Sequence, residues 1–93
     1  MEIKALQDWV NQNFGEKLTG VPTDYGVARL LTQSGQLGEA ALHGGDVGKE
    51  LADVMFVLAA LANRTGVDLS SAIQQHILSR TAEDFMGRLD RRS

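Results

Sequence analysis

Cysteine is absent from the sequence, which excludes disulfide bonds and cysteine-ligated zinc. Long apolar runs are absent too: the longest, VMFVLAALA at 54–62, falls far short of the ~20 residues that cross a bilayer. The opening MEIKALQDW lacks the basic and apolar regions of a secretory signal. Positive charge is sparse, since the net charge is −3 and basic residues gather only weakly in RLDRRS at 88–93. We therefore expect a cytoplasmic globular domain that binds neither a membrane nor nucleic acid.

Apolar residues recur at intervals of three and four in four segments, and no segment alternates with a period of two. This pattern predicts an all-α fold. The predicted helices span about 2–14, 23–42, 47–63 and 69–80. Thr23 or Asp24 is expected to cap the second helix, Asp46 the third and Asp68 the fourth. The HGG turn after the second helix and Gly66 after the third can supply left-handed C-caps.

The third predicted helix is apolar on nearly every side. Leu51, Val54 and Leu58 form one stripe, while Phe56 and Val57 occupy the other faces. Such a helix must be covered nearly all round, which its neighbours in a 93-residue chain can hardly do alone. We therefore predict one domain, a four-helix bundle completed by oligomerisation. Its core is expected in residues 3–80, with a short helix or frayed tail in 81–93.

Glu50 and Asp53 are the sharpest polar feature of the sequence. Three residues apart on a helix, their Cβ atoms lie roughly 5–6 Å from each other, so both carboxylates can reach one hard cation. They flank the apolar stripe of the third helix, where burying two carboxylates without a cation or protons is costly. A simpler interpretation is also open: acids in a first turn stabilise the helix dipole, and Lys49 is adjacent.

Gln33 and Gln36 repeat the same spacing on the second helix, and Gly35 between them permits the close approach of a backbone or a ligand. If the second and third helices are antiparallel across the short turn, the glutamine pair and the acidic pair could face each other. The alternative is that both glutamines are ordinary surface residues.

Three other side chains are weaker candidates. His43 precedes the glycine turn and is expected to interact with the helix C-terminus rather than to bind a metal. His76 lies in the apolar stripe of the fourth helix and is expected in the core or an interface. Because no cysteine is available and the two histidines are far apart in sequence, a zinc site is not expected. Trp9 is expected in the core or, at the rim of a cleft, stacked on a nucleotide base.

The order of these parts resembles the MazG-like nucleoside triphosphate pyrophosphohydrolases. That family carries E-x-x-E within an EEVGELAEA-like run, and then E-x-x-D within an EELADVLFYLLxLAN…GIDLEEA-like run. This chain has TQSGQLGEA at 32–40 and KELADVMFVLAALANRTGVDLSSAI at 49–73. The similarity covers about residues 3–80, and its ELADV…LAN…GVDL section is the most specific.

The resemblance implies an all-α homodimer or tetramer that cleaves nucleoside triphosphates, modified dNTPs included, to the monophosphate and pyrophosphate. In a house-cleaning reaction of this kind, Mg²⁺ held by four acids bridges the phosphates and helps to generate the attacking water. Glu50 and Asp53 match the second acidic pair, so they are the expected metal-binding catalytic residues. Trp9 and Arg80 are the expected substrate contacts, Arg80 being the only nearby basic residue for the phosphates.

Gln33 and Gln36 stand where the family has its first pair of acids, so two of the four expected negative charges are missing. An amide oxygen can ligate Mg²⁺, but it cannot act as a general base, and hard cations are held mainly by carboxylates. We therefore expect weak Mg²⁺ binding and reduced turnover. Three explanations are open: an inactive homologue that serves as a nucleotide-binding or protein-interaction oligomer, an active variant using Glu39 or another acid, or an isosteric replacement made to trap substrate.

Overall fold

The computed structural model describes residues 2–84 and 86–87 and shows an all-α protein, as the periodicity predicts. No strand occurs within these residues. The helices are α1 (Ile3–Leu18), α2 (Thr23–His43), α3 (Val47–Thr65) and the short α4 (Leu69–Ile73), which continues into a π-helical segment at Gln74–Leu78. None of these helices is long and apolar enough to span a bilayer.

The predicted caps of α3 and α4 are confirmed. The Asp46 carboxylate accepts a hydrogen bond from the backbone N–H of Lys49 at 3.0 Å, and Asp68 accepts one from the N–H of Ser71 at 3.2 Å. The left-handed C-caps of α2 and α3 are confirmed as well. Gly44 follows α2 with a φ of 77°, and Gly66 follows α3 with a φ of 73°. A side chain other than glycine would be strained at either position.

Three predicted boundaries are wrong. The first helix, predicted to end near 14, continues to Leu18. Thr23 and Asp24 do not cap α2, because the extended Pro22 precedes the helix and its carbonyl already accepts the N–H of Tyr25 at 3.1 Å. The fourth helix does not run evenly to 80, since its α-helical part ends at Ile73. Of the predicted tail, Phe85 and residues 88–93 lie outside the described residues.

Helix α3 is the centre of the fold, with α1 and α2 both packed against it. Gly26 near the start of α2 lies against Leu61 near the end of α3, and a Cβ atom added to Gly26 would sit only 2.5 Å from Leu61 Cδ2. Gln33 and Asp53, further along α2 and earlier in α3, line one cavity. The two helices are therefore antiparallel. The close approach predicted at Gly35 is made at Gly26, since a Cβ added to Gly35 would have no atom within 4 Å among the described residues apart from its chain neighbours and the nearby backbone of α2.

A buried amide joins α1 to the α3–α4 junction. The Gln7 amide donates to Asn63 Oδ1 at 3.0 Å and to the Val67 carbonyl at 2.9 Å, and its oxygen accepts the N–H of Leu69 at 2.8 Å. Asn63 in turn donates to the Gln7 carbonyl at 2.9 Å. All polar atoms of the Gln7 side chain are thus paired, as buried polar groups require.

The core of the chain is small, and large apolar side chains face solvent. The buried apolar residues are Val10, Val57, Ala59 and Ala62. By contrast, Leu31 and Leu42 on α2 are 70% and 80% exposed, and Leu51 on α3 is half exposed. The described residues therefore leave apolar surface on α2 and the start of α3.

Candidate functional site

The acidic pair lies in the first two turns of α3, where Lys49 bridges its two members. Lys49 Nζ lies 2.9 Å from Asp53 Oδ2 and 3.6 Å from Glu50 Oε1. The hydrogen bond to Asp53, followed by the negative charges of Asp53 and Glu50, raises the pKa of the Lys49 ammonium above its ordinary value. The ammonium thus stays charged at neutral pH and acts as an internal counter-ion. Because the side chains of Lys49 and Asp53 are both partly exposed, solvent weakens their ion pair.

One carboxylate oxygen of the pair is buried. The Glu50 side chain is only 17% exposed, and its Oε2 has no hydrogen-bond partner within the described part of the chain. A buried acceptor without a partner generally costs about 1–3 kcal/mol, and more when it carries charge. In Glu50, Oε1 therefore forms an ion pair with Lys49, and Oε2 is an acceptor without a partner in the described residues, open to a ligand or cation.

Gln33 and Gln36 have different environments, although both lie on α2. Gln33 is 8% exposed, and its Oε1 finds no partner among residues 2–84 and 86–87. Gln36, less than one turn later, is exposed. The interpretation of both as ordinary surface residues therefore fails for Gln33. This amide is buried with an oxygen that can accept one more hydrogen bond or a cation.

A cavity of about 300 Å³ lies between α2 and α3 and is lined by one member of each pair, Gln33 from α2 and Asp53 from α3. Ligand pockets of this kind usually start at about that volume and combine apolar walls with a few polar groups. Its wall also includes Pro22, Tyr25, Arg29, Phe56, Leu61 and Arg64. The polar residues of the lining thus include a glutamine, an aspartate and two arginines.

The remaining sequence candidates lie away from this cavity. Glu39 is exposed and pairs with His43 across one turn at 3.5 Å. His43 lies in the last turn of α2, where its interaction with the helix dipole stays a prediction. Trp9 is half exposed rather than buried in the core, and its ring packs edge-on against Phe14 at 5.8 Å. Trp9, Glu39 and Arg80 do not line the cavity, and of the two predicted pairs Gln36 and Glu50 do not line it either.

His76, expected in the core or an interface, is exposed in the described chain. The core alternative is therefore wrong, and the interface alternative stays a prediction. The π-helical turn that contains it follows only five α-helical residues. The regular α-helical spacing that assigns His76 to the apolar stripe therefore does not hold in this segment.

Sequence reasoning missed the guanidinium groups of Arg29 and Arg64. A signal for Arg29 was available, because it precedes Gln33 by one helical turn and must share its face of α2. Arg64 had no such signal. Its Nε donates to the carbonyl of Val21 at 2.8 Å, which fixes the end of α3 to the loop before α2.

The oxygen donors near the cavity are few. No group of three or more acidic or histidine side chains is close enough to share a metal within the described residues. Glu50 and Asp53 supply two carboxylates, and the buried oxygens of Glu50 and Gln33 lack partners in this part of the structure. Oxygen donors of these types are the ones that Mg²⁺ prefers.

The chain matches no family model, no curated protein and no solved structure. The MazG-like resemblance therefore stays a prediction that depends on the motifs in the sequence. The cavity that Gln33 and Asp53 line between α2 and α3 is observed independently of that resemblance.

Proposed function

We propose that this chain binds a nucleoside triphosphate with Mg²⁺ in the α2–α3 cavity and cleaves it slowly to the monophosphate and pyrophosphate. The observation that carries the proposal is the shared wall of the cavity. Gln33 and Asp53, which come from the two motifs of the resemblance, line it together. The orphan oxygens of Gln33 and Glu50, both without partners in the described structure, are acceptors that a cation or ligand would satisfy.

Glu50, Asp53 and the Gln33 amide oxygen are the groups that would hold the cation. When bound, Mg²⁺ would offset the charge of the phosphates and lower the pKa of an attacking water. Lys49 opposes this binding, because its ammonium already lies on both carboxylates. Occupation of the site therefore requires Lys49 to move, which its exposed side chain permits.

The missing charges explain why turnover should be slow. At an effective dielectric constant near 20, a unit charge about 4 Å from a dication contributes several kcal/mol of attraction before desolvation is included. Gln33 in the cavity wall forgoes such a contribution, and Gln36 removes a second negative charge less than one turn along α2. Neither amide can accept a proton from water as a general base. The two remaining carboxylates must both bind the cation and assist the water.

We propose further that the chain acts as a homo-oligomer, because Leu31, Leu42 and Leu51 are half or more exposed. Exposed apolar patches often mark subunit interfaces. Sizing by light scattering tests the idea. Leu31→Glu with Leu42→Glu should shift the protein towards monomer, and a wild-type protein that is monomeric at high concentration would contradict it.

The experiment for nucleotide binding is a calorimetric titration of wild type with a panel of canonical and modified dNTPs, with and without Mg²⁺. Asp53→Asn should abolish the Mg²⁺-dependent part of binding. Asp8→Asn is the matched control, because Asp8 also pairs with a lysine four residues away, Lys4, at 3.5 Å, but on α1. The control should leave binding unchanged.

Each outcome has a definite meaning. Binding and pyrophosphate release that both disappear in Asp53→Asn support an enzyme. Binding without release supports a nucleotide-binding protein that has lost catalysis. A wild-type protein that binds no nucleotide with or without Mg²⁺ contradicts the proposal and favours a protein-interaction role for the apolar surface.

A further inference from the structure

We infer that Arg29 holds the phosphates of the ligand, and that the base lies beyond it in the cavity, against Tyr25 and the loop before α2. This inference rests on the proposed function and gives the nucleotide an orientation. The resemblance had suggested Arg80 for the phosphates. Arg80 lies after the π-helical segment and does not line the cavity.

Arg29 is placed next to the polar end of the cavity. It lies one turn before Gln33 on α2, about 6 Å along the helix axis, and both side chains line the cavity. Arg29 has no carboxylate within ion-pair distance among the described residues, although the acidic pair lies on the neighbouring helix. A guanidinium group beside a cavity and without an acidic partner there suits a phosphate, to which it can donate two parallel hydrogen bonds.

The cavity has two chemically different ends. Along α3 its lining extends from Asp53 to Arg64, about three turns or roughly 16 Å at 1.5 Å per residue. The Asp53 end carries the Gln33 amide and the Asp53 carboxylate, where a cation and phosphates belong. The opposite end is formed by Pro22, Tyr25 and Leu61, which suit a flat heterocycle.

Arg64 fixes this second end. Its Nε bonds the Val21 carbonyl at 2.8 Å, so the loop that carries Pro22 is held against α3. Arg64 also lines the cavity, so its guanidinium is available there to stack on a base. The order from one end to the other is therefore cation, phosphates at Arg29, and base at Tyr25.

The test measures calorimetric affinity for three probes, tripolyphosphate, a dNTP and the matching deoxynucleoside, in wild type, Arg29→Met, Arg29→Lys, Arg80→Met and Tyr25→Ala. Arg29→Met should weaken tripolyphosphate and dNTP binding at least tenfold and leave the nucleoside unchanged. Arg29→Lys should recover part of the loss, because it restores the charge without the planar pair of donors. Arg80→Met should match wild type. Tyr25→Ala should weaken the nucleoside and spare tripolyphosphate.

Tyr25 and Arg29 are both exposed, so their variants should fold, and melting temperatures close to that of wild type would verify this. If wild type binds the dNTP and Arg29→Met binds it equally well, the inference fails while the proposed function stands. If Arg80→Met is the variant that loses tripolyphosphate, the assignment belongs to Arg80 and the inference is overturned. A wild-type protein that binds none of the three probes overturns the inference and the proposed function together.

Discussion

Replacing Gln7 by Met should destabilise the fold strongly, because it breaks the polar link between α1 and the α3–α4 junction. The side chain is 5% exposed and makes three hydrogen bonds, to Asn63, Val67 and Leu69. Each bond contributes about 0.5–1.5 kcal/mol net, and a backbone N–H left without a partner adds about 1–3 kcal/mol. The methionine side chain keeps the volume, so no cavity forms. We expect the free energy of unfolding to fall by about 3–5 kcal/mol.

That loss is large for a chain of this size, whose total stability should be about 5–14 kcal/mol at typical values per residue. At about 4–8 °C per kcal/mol, the melting temperature should fall by about 12 °C or more. Urea denaturation at fixed protein concentration gives the free energy directly. Gln12→Met is the matched control, because Gln12 is an exposed glutamine on the same helix; it should change stability by less than about 0.5 kcal/mol. A Gln7→Met protein within about 1 kcal/mol of wild type would show that these hydrogen bonds do not stabilise the fold.

Three further substitutions test the packing of α2 on α3 and the ion pair at the start of α3. Gly26→Ala should destabilise the protein by about 1–3 kcal/mol in urea unfolding, because the added Cβ would meet Leu61 Cδ2 at 2.5 Å. Gly35→Ala should instead stabilise it by up to about 1 kcal/mol, since helix propensity improves and the described structure leaves space there; equal effects would contradict the packing. Lys49→Met should raise Mg²⁺ affinity several-fold in calorimetry, because it removes the ammonium 2.9 Å from Asp53. Unchanged Mg²⁺ affinity would show that this ion pair does not compete with the cation.

The helix ends of α3 could be predicted from the sequence because their signals are local. An aspartate bonds an N–H three residues later, and a glycine takes a left-handed conformation that other residues avoid. Asp46 and Gly66 need only their chain neighbours to act in this way. The start of α2 is also set locally, because the extended Pro22 precedes the helix and its carbonyl accepts the N–H of Tyr25. The sequence pattern favoured Thr23 or Asp24 instead, since both are common capping residues.

The contacts between helices could not be predicted in the same way. The Gln7 network joins residues about sixty positions apart, and no periodicity identifies the partner of a lone glutamine. The different burial of Gln33 and Gln36 depends on how α2 is rotated against α3, because residues three apart differ by about 60° on a helix. Arg29 could be identified as a candidate phosphate contact only from the lining of the cavity in the folded structure.

The α2–α3 cavity is, in our proposal, a cation and nucleotide site weakened by two missing charges. A calorimetric Mg²⁺ titration tests this directly, with pyrophosphate release measured in parallel, on wild type and on the double variant Gln33→Glu/Gln36→Glu. We expect tighter Mg²⁺ binding and faster release in the double variant, because two carboxylates join Glu50 and Asp53. A double variant that binds Mg²⁺ no more tightly than wild type would contradict the proposal.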